Sequence, residues 1–580
     1  MIAKLFKFLP FLPWLRYYSK EKGVADFVAG LTVAVVLVPQ AMAYALLAGL
    51  PPVYGLYAGL VGAGIAALFG SSTQLSTGPV AIVSFLVLTS LVPLATPESA
   101  EYITLAIALA LLVGIIQFAM GAFRLGFIMS FVSHSVVVGF SSAAAIIIAS
   151  TQVPNLLGIK IGQHEFVFET FIDIFKAIPE ANISTLIIGA VSGAAILLMK
   201  KIHKTFPAAL VVVVASIVAS SFFHFEKMGI AVVGAVPSGI PFPTFPEITF
   251  SDAFGLLGTA VIISVIGFME AFAIAKSLAV KKREHINVNQ ELMGQGLANI
   301  LVSFFKGYPV SGSFSRSAVN NLSGGQTGMA SVFVSIFVLV TLLFLAPYLY
   351  NLPKAVLASI VIIAVIGLID IKKFAELWRI DRNDGIIAVV TFATAFIMKP
   401  DYAIFIGIIL SLVLFLRKSM RPHVAILGRN AGRNAFADSA EDKEAICCPY
   451  IVIARPNQSM YFGNAEYVIS DLKRAIDLND KAKVLIFDGE SVSFIDASSL
   501  EMFEHFIKDK QEEDITFIFV NIRKAVYEKF VRSGVAKLVG EDVFVTGKGS
   551  AIALAKQKLA TKGFKNCGSH AFKECNSSVK

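Results

Sequence analysis

The stretch Gly312-Ser313-Phe314-Ser315-Arg316-Ser317 decides how the rest of this chain is interpreted. It lies in a sequence that is otherwise apolar enough to sit inside a lipid bilayer, where a charged side chain is costly and normally faces a cavity, a partner or an ion pathway. The glycine and serines interrupt one helix, and the residues that follow can restart another. A restarted half-helix presents free N–H groups and a positive dipole end. Backbone donors beside a fixed cation predict an anion site within a membrane.

The composition of the 580-residue chain agrees with a membrane setting. Of its residues, 56% are hydrophobic and 15% charged, whereas soluble proteins carry roughly 25% charged residues. The net charge of +9 is explained by basic loops on one membrane face, so no nucleic-acid partner is expected. We expect a cytoplasmic lead-in at residues 1–25, a transport domain at 26–420, a linker at 421–449, a soluble domain at 450–560 and a flexible tail at 561–580.

Apolar runs of about 20 residues are long enough to cross a hydrocarbon core of roughly 30 Å. An even number of such segments puts both termini on one side, and the joints on that side are the richer in Lys and Arg. We therefore place both termini in the cytoplasm of a cell membrane, plasma or inner. The fourteen predicted segments are 26–47, 53–70, 78–93, 102–122, 126–151, 183–201, 207–225, 254–278, 290–306, 313–324, 328–350, 353–371, 384–399 and 401–418.

Two of these segments are short and broken. The third begins at Ser76-Thr77-Gly78-Pro79-Val80 and the tenth at Ser313, so each is third in its group of seven. Short segments interrupted by Gly or Pro at matching positions of two halves indicate a transporter binding site. Because seven is odd, we expect a 7+7 inverted repeat, with half-helix N-termini at Gly78 and Ser313 meeting near the midplane. The alternative is a kink at Gly78-Pro79 and a loop at 313–317, which leaves Arg316 unexplained.

Three polar side chains are candidates for binding an anion together with Arg316. Gln40 follows a proline in the first segment and can donate its amide N–H. Tyr44, one helical turn later, can form a wall of the site or donate its hydroxyl. Ser315 can add a hydroxyl beside the guanidinium. The alternative for Gln40 and Tyr44 is that they simply pack against neighbouring helices.

Glu270 lies in the middle of an apolar segment, in Gly267-Phe268-Met269-Glu270-Ala271-Phe272. Burial of a carboxyl group favours its protonated form, whereas a nearby Arg316 favours the carboxylate. A carboxyl group held between these effects can take up a proton with a substrate anion and release both inside. That would allow an anion to enter against a negative-inside potential. The alternatives are a structural ion pair and a polar contact between helices.

Strand and helix patterns alternate between residues 450 and 560, which predicts a small α/β domain. It contains no glycine-rich phosphate loop. No nucleophile, base and oxyanion donor are placed together anywhere in the chain, so we expect neither an enzyme nor a cofactor.

Several motifs together resemble the SulP family of anion transporters, the sulfate permeases, from about residue 26 to about residue 560. The soluble part resembles a STAS domain through Tyr461-Phe462-Gly463-Asn464-Ala465-Glu466-Tyr467 and Asp496-Ala497-Ser498-Ser499-Leu500. The membrane motifs are Ala29–Ala34, Pro39–Ala45, Gly49–Tyr57, Gly70–Ser72, Gly78–Ala81, Asn289-Gln290-Glu291-Leu292, Gly294-Gln295-Gly296 and Gly312–Ala318.

The resemblance implies fourteen segments in inverted repeats, divided into a transport core and a gate. It also implies an elevator-like motion and a homodimer. The family's anion site corresponds here to Gln40, Tyr44, Val80, Ser315 and Arg316.

The resemblance also bears on Glu270 and Ser498. Proton-coupled sulfate carriers of the family have Glu at the position of Glu270, sodium-coupled relatives have Asp, and many exchangers lack an acid. The position of Ser498 is phosphorylated in soluble relatives of STAS domains, which makes Ser498 a candidate regulatory residue. Many of those relatives have Gly where this chain has Ser499, and a plain helix N-cap is the alternative role for Ser498.

These observations favour secondary active transport of a small inorganic oxyanion, with sulfate and protons preferred. One alternative is a bicarbonate or dicarboxylate transporter that is coupled to sodium or works by exchange. An anion channel of the same fold is another. A third is a membrane-anchored regulator whose STAS domain senses partners.

Overall fold

The computed structural model describes residues 10–580 except 128–131, 162–166, 203–207, 236, 238, 247–248, 283, 399, 431, 433–434, 565–570 and 573–580. The chain divides into two compact units, Met1–Leu412 and Val413–Lys580. The first is almost entirely helical. The second contains a mixed sheet with helices.

Each predicted membrane segment overlaps a helix of the first unit. By length and composition, eight helices in the described part of the chain can cross a membrane, or nine if the bent pair Val167–Glu180 and Ile183–Met199 is one span. The helices are α1 (Leu12–Arg16), α2 (Lys20–Leu47), α3 (Pro52–Phe69), α4 (Ala81–Leu91), α5 (Ala100–Ala122), α6 (His134–Leu157), α7 (Val167–Ala177), α8 (Ile183–Ile202), α9 (Ala208–Phe223), α10 (Phe250–Lys282), α11 (Val288–Phe304), α12 (Phe314–Leu322), α13 (Met329–Val340), α14 (Lys354–Ile366), α15 (Ile371–Ile380), α16 (Arg382–Ile397) and α17 (Pro400–Met420).

Some boundaries differ from the prediction. Helix α2 begins at Lys20, inside the predicted lead-in, because Ser19 accepts a hydrogen bond from the Lys22 N–H and caps it. After α13 the helix continues as a π-helical turn, Thr341–Leu345, and a 3₁₀ segment, Ala346–Asn351. The sequence analysis did not predict α7 or α15, which are short and amphipathic rather than uniformly apolar.

The outer helices expose bulky apolar side chains that a soluble protein would bury. Ile187, Val191 and Leu198 of α8 are 55%, 62% and 61% exposed. Val214 and Val218 of α9 are similarly open. Since extended apolar surfaces of this kind mark contact with lipid or protein, these faces fit a membrane.

A two-stranded antiparallel sheet lies where the broken segments were predicted. Strand β1 (Thr77–Gly78) pairs with β2 (Ser311–Gly312), with Thr77 opposite Gly312 and Gly78 opposite Ser311. Each strand is followed by a short helix, α4 after β1 and α12 after β2. The kink-or-loop alternative is therefore wrong.

The two half-helices begin at slightly different points from those predicted. Ser313 is the N-cap of α12, as expected. Gly78 is not a helix terminus, because it pairs in β1, and α4 begins three residues later at Ala81 with Val80 as its N-cap. Pro79 lies between strand and helix and has no N–H to contribute to either.

The second unit is built on a seven-stranded sheet in the order β4-β3-β6-β7-β8-β9, with β5 also paired to β3. Strands β6 to β9 run parallel, and β3 is antiparallel to β6. The strands are β3 (Val424–Asn430), β4 (Ala435–Asp438), β5 (Ala445–Ile446), β6 (Ile451–Pro456), β7 (Val484–Asp488), β8 (Thr516–Val520) and β9 (Phe544–Val545). The helices are α18 (Ala465–Asp477), α19 (Ala497–Glu512), α20 (Lys524–Ser533), α21 (Val535–Val539) and α22 (Lys548–Thr561).

Two predicted boundaries of this unit need correction. The predicted linker, 421–449, contains β3, β4 and β5, because Val424 and Leu427 are buried in the apolar core and draw the segment into the sheet. Within the predicted flexible tail, Phe572 is fully buried with its ring against Phe436. Most of the remaining tail lies outside the described residues.

Candidate anion-binding site

Arg316 lies in the first turn of α12 and is fully buried. Its Nη1 donates to the carbonyl of Pro79 at 2.9 Å and, more weakly, to Oε1 of Gln40 at 3.5 Å. Its Nε and Nη2 have no hydrogen-bond partner among the described residues. A buried guanidinium with unused donors is costly by several kcal/mol, and an acceptor of negative charge at Nε and Nη2 would offset that cost.

The tip of α4 supplies backbone donors to the same place. Its N-cap, Val80, has no side chain that can accept a hydrogen bond, and no side chain caps the helix. The N–H groups of Ala81, Ile82 and Val83 therefore have no partner within the helix. They add a positive dipole end to the charge of Arg316.

The tip of α12 is arranged differently. Oγ of Ser313 accepts from the Arg316 N–H at 3.5 Å, and the Ser313 N–H donates to the Ser76 carbonyl at 2.9 Å. In return, Oγ of Ser317 accepts from the Ser76 N–H at 2.9 Å. These bonds, together with the β1–β2 pairing, hold the two tips next to each other.

Gly78 makes room for the guanidinium. A Cβ atom at this position would lie 3.2 Å from Nη2 of Arg316. Such a contact is tighter than most real Cβ contacts, so a side chain at this position would push the guanidinium by a few tenths of an ångström, and glycine leaves it room.

The structure brings Gln40 and Tyr44 to this site on α2, both buried. Gln40 was predicted to donate to the anion, but its Oε1 accepts from Arg316, so it also orients the guanidinium. Tyr44 interacts electrostatically with both Arg316 and Glu270. Ser315 is exposed, with its hydroxyl 3.3 Å from that of Ser313.

Glu270 lies on α10 and is half-buried. Its carboxylate interacts electrostatically with Arg316, yet the described residues form no ion pair with it within 4.0 Å, and its Oε2 has no hydrogen-bond partner. The described residues therefore do not show the structural ion pair that was one alternative for Glu270.

One further residue near Arg316, Tyr308, was missed. Tyr308 is fully buried three residues before β2, and its hydroxyl lies 3.0 Å from that of Ser84 in α4. Tyr308 also interacts electrostatically with Tyr44 and Arg316. The available signal was a tyrosine followed by proline, in the joint between the ninth and tenth predicted segments.

Ser498 lies far along the chain, in the first turn of α19, where it is exposed. It is not the N-cap. Asp496 caps this helix by accepting from the Ser499 N–H at 2.9 Å and from the Ser499 hydroxyl at 2.6 Å. Partial burial acts to raise the pKa of Asp496, but the hydrogen bonds that it accepts from Ser499 lower this pKa below its ordinary value.

Comparison with known proteins gives a consistent result. A model of the sulfate permease family matches residues 24–391, and a STAS domain model matches residues 442–548. The chain is 35% identical to "Sulfate transporter 4.1, chloroplastic" of Arabidopsis thaliana, over 96% of this chain and 84% of that protein. It is 32% identical to "High affinity sulfate transporter 2" of Stylosanthes hamata, over 95% and 87%.

Solved structures show the same architecture. The murine Slc26a9 anion transporter in the inward-facing state superposes with a TM-score of 0.90 at 26% identity, covering 96% of this chain and 95% of that chain. The transmembrane domain of the cyanobacterial bicarbonate transporter BicA gives a TM-score of 0.58 at 23% identity, covering 68% of this chain and 98% of that chain. At that identity the second likeness concerns the fold alone.

Proposed function

The chain belongs to the sulfate permease family, and on that premise we propose that it takes up sulfate together with protons by an elevator-type alternating-access mechanism. The predicted fold class, a polytopic helical transporter with a STAS domain, is confirmed. Its relatives are named sulfate transporters, which supports transport of an anion of this kind. The observation that carries the proposal is the pair of unpartnered donors, Nε and Nη2, on the buried Arg316.

Sulfate suits the donors at the two tips. Its oxygens can accept from Nε and Nη2 of Arg316 on one side and from the N–H groups at the start of α4 on the other. Gln40 and Tyr44 line the site, and Val80 leaves the α4 donors uncovered. Ser315 faces the accessible side, from which the anion enters.

The charge on sulfate explains the need for a proton. Moving one elementary charge against 100 mV costs about 2.3 kcal/mol, so a dianion entering a negative-inside compartment costs about 4.6 kcal/mol. One proton on Glu270 that travels with the anion would halve this cost. Neutralisation of Glu270 would also leave Arg316 fully available to sulfate, so binding of the proton and binding of the anion favour each other.

An elevator motion is consistent with how the tips are held. Because β1–β2 pairing and the Ser76 hydrogen bonds join both tips, the site can move as one unit without being dismantled. We assign the protein to the cell membrane as a homodimer, with both termini and the STAS domain in the cytoplasm. Ser498, exposed beside a capped helix start, is the proposed regulatory position.

The test is uptake of labelled sulfate by proteoliposomes that contain the purified protein. Saturable uptake that rises several-fold under an inward proton gradient, and not under a sodium gradient, is the expected result. Arg316→Ala should abolish it. Absence of sulfate uptake at every pH would contradict the proposal.

The same preparation separates the other functions. Preferential inhibition by bicarbonate or a dicarboxylate, with stimulation by sodium, would identify a different substrate and coupling ion. A linear current that never saturates would identify a channel. An Arg316→Ala variant that keeps its biological role would identify a regulator.

A further inference from the structure

Part of the sequence that carries the family resemblance has no place in the anion site. The motifs Asn289-Gln290-Glu291-Leu292 and Gly294-Gln295-Gly296 lie on α11, and none of the described contacts of Arg316 comes from them. Three polar residues of α11, Glu291, Gln295 and Asn299, recur every fourth residue and so lie on one face of the helix. All three are almost completely buried, at 1%, 1% and 0% exposure. We call them the polar ladder.

The first two members of the polar ladder bind the segment that leads into the α4 tip. Oε2 of Glu291 accepts from the Ser71 N–H at 2.7 Å and from the Ser72 N–H at 3.0 Å. Nε2 of Gln295 donates to Oγ1 of Thr77, in β1, at 2.8 Å. The polar ladder therefore holds this segment at both of its ends.

The third member binds the segment that leads into the α12 tip. Oδ1 of Asn299 accepts from the Val310 N–H at 2.8 Å, and Nδ2 donates to the Val310 carbonyl at 3.1 Å. Val310 directly precedes β2. The side-chain amide thus pairs with both backbone groups of this residue, as a neighbouring strand would.

The glycines of the motif allow α11 to come this close. A Cβ atom on Gly294 would lie 2.5 Å from the backbone of Gly70, and one on Gly296 would lie 2.4 Å from the backbone N of Phe118. Neither contact is tolerable. The motif is therefore explained as a polar ladder flanked by positions where the helix touches neighbouring backbone.

Strands β1 and β2 need external support because each has only two residues. Small two-stranded pairings are marginal on their own in water. We propose that Gln295 and Asn299 are positioning residues that fix the register of β1 against β2, and thereby the spacing of the two tips that bind the anion. This inference rests on the proposed function, because it assigns the anion to the space between the tips.

Hydrogen–deuterium exchange of the full-length protein in detergent tests the positioning role without any substrate. Gln295→Leu and Asn299→Leu should each speed exchange about tenfold in peptides covering both 70–80 and 308–318, since each strand holds the other. Gln290→Leu is the matched control. Its Nε2 donates to the Phe69 carbonyl at 2.6 Å and contacts neither strand, so exchange at 308–318 should change less than twofold.

Uptake kinetics then separate positioning from general damage. In Gln295→Leu and Asn299→Leu, KM for sulfate should rise about tenfold while the maximal rate stays within about threefold of wild type. A fall in the maximal rate with KM unchanged would overturn the proposal. So would exchange that quickens only within α11 while both tips remain protected.

A second variant keeps the test valid if Gln295→Leu does not fold. Thr77→Val removes the acceptor from β1 without altering α11, and it should produce the same exchange at both tips. In the double variant Thr77→Val/Gln295→Leu, exchange at the two tips should be no faster than in either single variant. Fully additive increases in the exchange rate would contradict the proposal. The exchange experiment needs no substrate. If the wild-type protein failed to transport sulfate, the proposed function would be wrong, but the exchange results would still test the positioning role of Gln295 and Asn299.

Discussion

The two half-helix tips occupy matching places in the two halves of the membrane unit, yet they contribute different chemistry. The α4 tip has Val80 as its N-cap, so no side chain caps its backbone N–H groups. The α12 tip has Ser313 as its cap and carries Arg316. The two paired tips therefore differ, because the charge lies on α12 and the N–H groups without a side-chain cap lie on α4. An anion between them would meet a side-chain cation and a helix dipole at once.

The start of α19 in the soluble unit shows what an ordinary helix N-terminus looks like. There Asp496 accepts two hydrogen bonds from Ser499, so a carboxylate of the chain itself fills the position. At the α4 tip, none of the residues that the structure describes caps the helix with a side chain. The α19 N-terminus is therefore capped by its own chain, whereas the proposed function assigns the uncapped α4 N-terminus to the anion.

Removing the charge from the α12 tip should have the largest effect. Arg316→Ala should reduce the ratio of maximal rate to KM for sulfate by about 100-fold or more, since two charge-assisted hydrogen bonds are worth roughly 3–6 kcal/mol. Arg379→Ala, at an exposed arginine of α15, should stay within twofold in the same uptake assay. Comparable losses in both variants would mean that Arg316 has no special role.

The next effect concerns coupling. Glu270→Gln keeps the shape of the side chain but cannot bind or release a proton. We expect uptake in this variant to lose its stimulation by an inward proton gradient and to fall about tenfold at acidic external pH. Glu101→Gln, at an exposed glutamate of α5, should keep the stimulation. Retained stimulation in Glu270→Gln would show that the coupling proton binds elsewhere.

Making the two tips alike should weaken binding more modestly. In Val80→Ser, the new hydroxyl can cap α4 and compete with the anion for its N–H groups, so KM should rise about fivefold, equivalent to about 1 kcal/mol. Val80→Ala, which cannot cap, should change KM less than twofold and controls for the loss of volume. Equal KM values for the two variants would show that the α4 donors do not contact the anion.

The smallest effect should come from the capped N-terminus of α19. Asp496→Ala should destabilise the start of α19 by about 1 kcal/mol, measured by hydrogen exchange in the full-length protein at neutral pH, and should leave KM unchanged. Because the folded-state pKa of Asp496 is lowered, its stabilisation is complete above the unfolded pKa of about 3.9 and is lost as pH falls through the folded value. Wild type and variant should therefore converge in acid.

Ser498→Ala serves as the control for that comparison. The side chain is exposed and does not cap the helix, so its removal should change stability by no more than about 0.5 kcal/mol. A larger loss in Ser498→Ala than in Asp496→Ala would contradict the assignment of the cap.

The sequence predicted the parts of the site that carry a clear physical signal. Arg316 and Glu270 stood out because a charge in an apolar segment is rare and expensive, and Ser313 has the side chain of an N-cap. The β1–β2 pairing gave no such signal, since two residues are too few for any periodicity. Tyr308 was missed because an uncharged aromatic residue is unremarkable in a membrane segment.

Contacts distant in sequence account for the other differences. The polar ladder could not be assigned from the sequence, because Gln295 and Thr77 are 218 residues apart and meet only in the folded chain. The segment around Val424 was assigned to the predicted linker, 421–449. Its pairing with β6 is what makes it part of the sheet.

The most direct test of the central claim is to locate a bound oxyanion by anomalous diffraction from crystals grown with selenate. We predict a selenium peak between the tips, with its oxygens within hydrogen-bond distance of Nη2 of Arg316 and of the N–H groups of Ile82 and Val83, and no peak there in Arg316→Ala. A selenate bound only elsewhere, or one that remains between the tips after the arginine is removed, would contradict the claim.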